Sequence, residues 1–282
     1  MENEFLLATN GYENTWPSIE YGAWMAEILD VPVTLLGIAE HLSPAPIDDA
    51  YPLEGIFGRA VELFRQKGLK YSLEIQNGQA EEIIPREALK KGGTTVIGPL
   101  GRPPLHRFLV GRSIRHFMSE IPTPILYVRQ IRLLLKKMLV CLGGLGYGMT
   151  AENFAIRVGM VEKADITLLH VAPPVDLDYP VARAEREHWR DLIHTDTLTG
   201  TTLRRALDAA QAAGLQAEFK ARQGDVVEQI LAEMREGNYD LVCMGSPYST
   251  HGLRQMYATN VTDEVAENAR CPILTARYMP GE

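Results

Sequence analysis

Val33-Thr34-Leu35-Leu36-Gly37-Ile38-Ala39 recurs 133 residues later as Ile166-Thr167-Leu168-Leu169-His170-Val171-Ala172. The same offset lays Leu6-Leu7-Ala8-Thr9-Asn10-Gly11 on Leu139-Val140-Cys141-Leu142-Gly143-Gly144. Farther on the offset is 146, with Lys67-Gly68-Leu69 on Ala213-Gly214-Leu215 and Asn77-Gly78 on Gln223-Gly224. Near the ends it is 148, with Pro124-Ile125-Leu126 on Pro272-Ile273-Leu274. Matched runs that recur in the same order are the mark of a duplicated unit. The chain of 282 residues therefore reads as two domains, 1–133 and 134–282. The offset grows by 13 after the second matched run, which places an insertion in the second copy at about Pro173 to Thr202. The junction, Gln130 to Lys136, is short and apolar with no Gly or Pro, unlike a flexible tether, and predicts that the two copies pack on each other.

Within each copy, β-rich apolar runs alternate with helical patterns. Phe5–Thr9, Val33–Ala39, Tyr71–Ile75, Thr94–Ile97 and Ile125–Val128 read as strands in the first copy. Met138–Leu142, Ile166–Val171, Ala217–Ala221, Leu241–Met244 and Ile273–Ala276 are their counterparts. Runs that are apolar throughout, rather than alternating, fit parallel strands covered on both faces. Val226, Val227, Ile230, Leu231 and Met234 mark one helix, and Phe154, Val158 and Val161 another; Trp24, Met25 and Phe154 fit a helix core stripe. The predicted class is α/β, two tandem doubly wound, Rossmann-like parallel sheets of five strands each.

Composition agrees and excludes other classes. With 46% hydrophobic and 23% charged residues the chain can bury a core and is neither disordered nor fibrous. Its 28 basic and 36 acidic residues give a net charge of −8, which disfavours a nucleic-acid partner held by bulk phosphate attraction. Met1-Glu2-Asn3-Glu4 is acidic where a secretory leader would be basic, and apolar runs such as Met138–Leu142 are far too short to span a bilayer. No membrane partner is expected. Cys141, Cys243 and Cys271 form no CxxC pair; buried, inert thiols at the two in strand-like runs, Cys141 and Cys243, and a cytoplasmic location are the expectations.

In open parallel sheets, ligands bind beyond the carboxyl ends of the strands. After the fourth strand of copy one the chain reads Gly98-Pro99-Leu100-Gly101-Arg102-Pro103-Pro104-Leu105-His106-Arg107-Phe108-Leu109-Val110-Gly111-Arg112-Ser113, with glycines spaced G-x2-G-x9-G. Glycine lets a backbone approach a phosphate closely. Between Gly98 and Arg115 stand Arg102, Arg107, Arg112 and Arg115 and no acid, although residues 1–133 carry thirteen basic and sixteen acidic residues. This segment reads equally as a local phosphate site or as a solvated basic loop. His106 and His116 flank it as candidate phosphate contacts or surface residues.

With those residues in view, the chain resembles a tandem universal stress protein, one domain of that family per copy. Gly224-Asp225-Val226-Val227-Glu228-Gln229-Ile230-Leu231 and Tyr239-Asp240-Leu241-Val242-Cys243-Met244-Gly245-Ser246 are similar to the family's third helix and fourth strand. The resemblance implies a domain of the adenine-nucleotide alpha-hydrolase-like type. It further implies a glycine-rich loop on the phosphates of ATP, joined by a small hydroxyl residue, with a strand-one aspartate and the strand-two end around the adenosine. Carried to copy one, it implies a site of Ala8, Thr9, Asn10, Ile38, Ile97, Gly98, Gly101, Arg102, Gly111, Arg112, Ser113 and Ile114. Asn10 stands in place of the aspartate, an acceptor without charge. Arg112 replaces the hydroxyl residue, with Ser113 one position later; the arginine can fork onto a phosphate or fill the pocket.

Copy two departs further. Its implied, degenerate site is Gly143, Val171, Gly245, Ser246, Thr259 and Asn260, with Tyr248 and Ala258 at two glycine positions and Arg254 the one base between Gly245 and Thr259. A nucleotide triphosphate is not expected there. Gly143-Gly144-Leu145-Gly146-Tyr147-Gly148 fails as G-x-G-x-x-G because Met149 takes the last glycine position, and reads as a turn. His170 reads either as a hydrogen-bonded core histidine or as part of a vestigial pocket. The insertion reads as a helix from about Val181 to Leu198, where His188 and His194 lie on a solvated charged face without a metal-ligand set.

No P-loop, nucleophile elbow or acidic pair is present, so no catalytic residues and no metal site are assigned. The expected function is regulatory binding of ATP, AMP or another adenine nucleotide in domain 1, with or without magnesium, in a stress response, with at most slow ATP hydrolysis. A homodimer is among the expectations. The alternatives are an interaction protein of the same fold, engaging partners through the insertion, and a nucleotide-cleaving enzyme.

Overall fold

A computed structural model describes residues 4–40, 52–100, 114–143, 149–172, 187–247 and 255–278. The chain divides into two compact units, Met1–Leu133 and Leu134–Glu282. In the first, the order is β1 (Phe5–Thr9), α1 (Trp16–Leu29), β2 (Val33–Ala39), α2 (Pro52–Gln66), β3 (Tyr71–Asn77), α3 (Ala80–Lys91), β4 (Thr94–Ile97), α4 (Ile114–Glu120) and β5 (Ile125–Tyr127). In the second it is β6 (Lys137–Cys141), α5 (Met149–Glu162), β7 (Asp165–Ala172), α6 (Leu198–Ala212), β8 (Ala217–Gln223), α7 (Val226–Gly237), β9 (Leu241–Pro247), α8 (Gln255–Asn268) and β10 (Ile273–Tyr278).

Each unit forms a parallel five-stranded sheet, ordered β3-β2-β1-β4-β5 in the first and β8-β7-β6-β9-β10 in the second. Both orders reverse direction beside the unit's first strand, which opens a crevice between β1 and β4 and another between β6 and β9. The central strands are the continuous apolar runs: Leu7, Leu35, Leu36 and Val96 are fully buried, as are Leu139, Val140, Val242 and Cys243. The outer strands β3 and β8 alternate instead and are half exposed. α1 lies close on its sheet because residue 22 is glycine; a Cβ there would sit 2.4 Å from Leu7 Cδ2.

The likeness of the two units extends to backbone detail. Asp30 and Lys163, 133 apart, both take left-handed φ values, 51° and 54°. Gly78 and Gly224 do so at 142° and 140°, a conformation that a side chain would strain. α2 and α6 have 15 residues each and begin 146 apart, so the extra residues of the second unit precede Leu198.

Two expectations are corrected. Trp189–His194 is a 3-10 turn rather than part of a helix running to Leu198, and α6 starts afresh there. The cause is local hydroxyl bonding: Thr195 Oγ1 donates to Leu192 O at 2.7 Å, and Thr197 Oγ1 caps α6 by accepting Gly200 N at 3.0 Å. The rest of that predicted helix, 181–186, lies outside the described residues. On α5, Val158 is buried but Val161 is 55% exposed; the inward face is Ala151, Glu152, Ala155 and Val158. Glu152 can join it because Arg205 of α6 grips its carboxylate at 3.0 and 2.7 Å.

Candidate functional site

The site is built where β1 ends. Thr9, its last residue, is fully buried, and the chain turns at Gly11 with φ of 86°. Thr15 Oγ1 donates to Tyr12 O at 2.7 Å, so in its 2.6 Å contact with Thr9 the Thr9 hydroxyl is the donor. Thr9 Oγ1 in turn accepts from Gly11 N at 3.0 Å. This closed turn fixes Asn10, which is 3% exposed. Its Nδ2 donates to Glu40 Oε2 at 3.0 Å, just past the end of β2, and Glu40 Oε1 accepts Ala80 N at 3.2 Å from the start of α3. Asn10 Oδ1 is buried with no hydrogen-bond partner among the described residues. Such orphans are rare in folded proteins, because they cost about 1–3 kcal/mol.

Around this point the structure brings together the ends of β1, β2 and β4. Ala8, Ile38 and Ile97 belong to the core, each at most 1% exposed. Gly98 is buried, and a Cβ there would lie 3.0 Å from Val128 O and 3.1 Å from Ser18 Oγ, so packing against α1 and β5 already asks for glycine. At Gly37 a side chain would collide with Phe57 at 2.6 Å. Ile114 opens α4. Gly101, Arg102, Gly111, Arg112, Ser113 and His106 lie outside the described residues. His116 Nε2 pairs with Glu81 O at 3.2 Å, tying α4 to the first turn of α3.

Sequence reading missed Glu40 and, at the same end of the sheet, Arg59, which meets Glu13 Oε1 at 2.5 Å and lies 4.0 Å over the Trp16 ring. Nothing in the spacing of Glu40 marks it; only the fold brings it to Asn10, 30 residues away in sequence.

In the second unit, Gly143 is exposed with nothing within 4 Å of a built Cβ, so no packing requires glycine there. Val171 is buried, Gly245 is half-buried near the end of β9, and Ser246 continues that strand. Thr259 and Asn260 lie on α8. Tyr248, Arg254 and 144–148 lie outside the described residues. His170 is a core histidine: it is buried and its Nδ1 donates to Leu142 O at 2.8 Å, which fixes the proton on that nitrogen.

A cavity of about 290 Å³ opens at the other edge of this unit, lined by Lys137, Asp165, Thr167, Glu218, Lys220 and Tyr239 at the amino ends of the strands. Several of its polar groups pair with one another or with Glu233 behind them: Thr167 Oγ1 donates to Glu218 at 3.1 Å, and Tyr239 OH to Glu233 at 2.6 Å. Burial alone would raise the Glu233 carboxyl, but donors from Tyr239, Lys220 and Arg222 outweigh it and hold it below the usual carboxylate range. Burial, and Glu233 beside it, push the Tyr239 phenol up to about 12. Burial likewise raises the Cys141 and Cys243 thiols, which suits inert cysteines, Cys243 in the core and Cys141 half-buried at the end of β6. Among the described residues no three His, Cys, Asp or Glu side chains gather as a metal site, and no helix is long and apolar enough to cross a membrane.

Comparison with known proteins places these features. A model of the universal stress protein family matches residues 135–277. Universal stress protein YxiE of Bacillus subtilis (strain 168) is 26% identical over 146 residues, 50% of this chain and 98% of that protein. The crystal structure of a universal stress protein from Archaeoglobus fulgidus aligns over 100% of this chain and 98% of its own, with TM-score 0.69 and 17% identity. A chain from Pseudomonas aeruginosa PAO1 aligns over 98% of this one and 92% of its own, with TM-score 0.65 and 14% identity. These two show a shared fold across both units.

Proposed function

Because the chain belongs to the universal stress protein family, we propose that its first unit is a second domain of that family and binds an adenine nucleotide, as a regulatory module with little or no catalysis. The carrying observation is Asn10, buried at the carboxyl end of β1 beside the switch in strand order, with an orphan acceptor. The shared strand order and the paired backbone conformations at Asp30 and Lys163 support a common origin for the two units. Arg102, Arg107, Arg112 and Arg115, in the segment after β4, supply charge for the phosphates. ATP, AMP or a related nucleotide is the ligand class, and the second unit, with Gly143, Tyr248 and Ala258, is the weaker or empty partner.

Titration calorimetry with ATP, ADP and AMP, with and without magnesium, tests this. One site per chain is expected; no heat from any of them at millimolar ligand overturns it. Gly111→Asp should abolish binding by setting a carboxylate against the phosphates. The rival reading, partners recruited through the insertion, has less in its favour. The described part of that segment is anchored to its own unit: Leu192 is fully buried, and Arg204 donates to Ile193 O and Thr195 O at 2.7 and 2.6 Å.

A further inference from the structure

We propose that Glu40 is a positioning residue that locks the Asn10 amide with Oδ1 toward the ligand, so that the site selects ligands offering a neutral hydrogen-bond donor there, an exocyclic amine or a sugar hydroxyl. This rests on the reading of the β1 end as a nucleotide site. A carboxylate accepts hydrogen bonds and cannot donate one. Of the two orientations open to an amide, only the one with its NH2 on Glu40 makes a bond; the other sets two oxygens against each other. The observed contact is Nδ2 to Glu40 Oε2 at 3.0 Å. Glu40 is itself held, because Ala80 N donates to its other oxygen at 3.2 Å. β2 flanks β1 on one side and β4 on the other. Turning Nδ2 to the β2 end therefore turns Oδ1 away from it, and there Oδ1 is buried with no hydrogen-bond partner among the described residues. An aspartate here could serve a ligand with either oxygen; the Asn10–Glu40 pair presents one fixed neutral acceptor and keeps the negative charge behind it.

The test combines side-chain amide spectra of the ¹⁵N-labelled full chain with binding of AMP, purine riboside 5′-monophosphate and 2′,3′-dideoxyAMP. Wild type should prefer AMP by about tenfold over the first analogue if the amine is the donor, or over the second if a hydroxyl is. Glu40→Ala should shift the Asn10 NH2 resonances and erase that preference. Glu40→Gln, whose Oε1 can still accept from Nδ2, should restore part of it. Equal binding of all three ligands, or a preference and amide spectrum unmoved in a folded Glu40→Ala chain, overturns the inference and leaves nucleotide binding standing. No binding of any nucleotide by wild type brings down both.

Discussion

Glu233 gathers three kinds of donor on one buried carboxylate: Lys220 Nζ at 3.0 Å, Arg222 Nε at 2.8 Å and Tyr239 OH at 2.6 Å. Its counterpart 146 residues earlier, Glu87, is also buried, but its cations come from its own helix, Lys90 at 3.3 Å and Arg86 at 3.4 Å. In that copy Glu74 stands where Lys220 does, and bonds Lys91 at 2.6 Å. Both units bury a carboxylate at this position, and its partners differ in sign or place. Glu233→Ala should cost about 3 kcal/mol, the low end of the range for a broken buried pair because Lys220 and Arg222 can reach water. Thermal denaturation of the full chain measures it. Since the folded carboxyl titrates below its ordinary value of 4.5, its contribution is full above that pH and fades as pH falls through the lowered value. Wild type should thus lose stability on acidification below about 4.5 more steeply than Glu233→Ala. Nothing in an i, i+3, i+4 stripe of apolar residues points to such a glutamate; the signal that could have found it is its recurrence in both copies.

Strand ends and helix starts are set by a few close contacts. Just before β4, Gly93 comes so near β1 that a Cβ would lie 1.9 Å from Glu4 O, the same oxygen that accepts Thr94 N at 3.0 Å. Gly93→Ala must part the start of the β1–β4 pair and should cost about 3 kcal/mol or more, as severe overpacking does. Chemical denaturation checks it, with Gly92→Ala as a contrast set in open space at a φ of 69°. The central strands could be read from their apolar runs because burial on both faces leaves no other pattern. The turn at Trp189–His194 could not, because Thr195 and Thr197 decide it through hydroxyl bonds to specific backbone atoms. Gly98 illustrates a different limit: its spacing suggested phosphate, while its surroundings supply a packing reason of their own.

Each unit carries a complete doubly wound sheet and its own buried core, so residues 1–133 and 134–282, produced separately, should each fold with one cooperative transition. Circular dichroism melts and amide dispersion decide this, and a half lacking either would overturn its independence. The α/β class and the strand sequence were legible from residues alone, because burial of parallel strands forces long apolar runs, and the runs of the second unit follow those of the first in the same order. The acid-free, four-arginine segment was legible too, since charge is a property of composition. Tertiary structure alone decided which groups face one another: Asn10 with Glu40 across 30 residues, and Glu152 with Arg205 across 53. A hydrogen bond depends on distance and direction in space, and spacing along a chain carries neither once the strands have been reordered in the sheet.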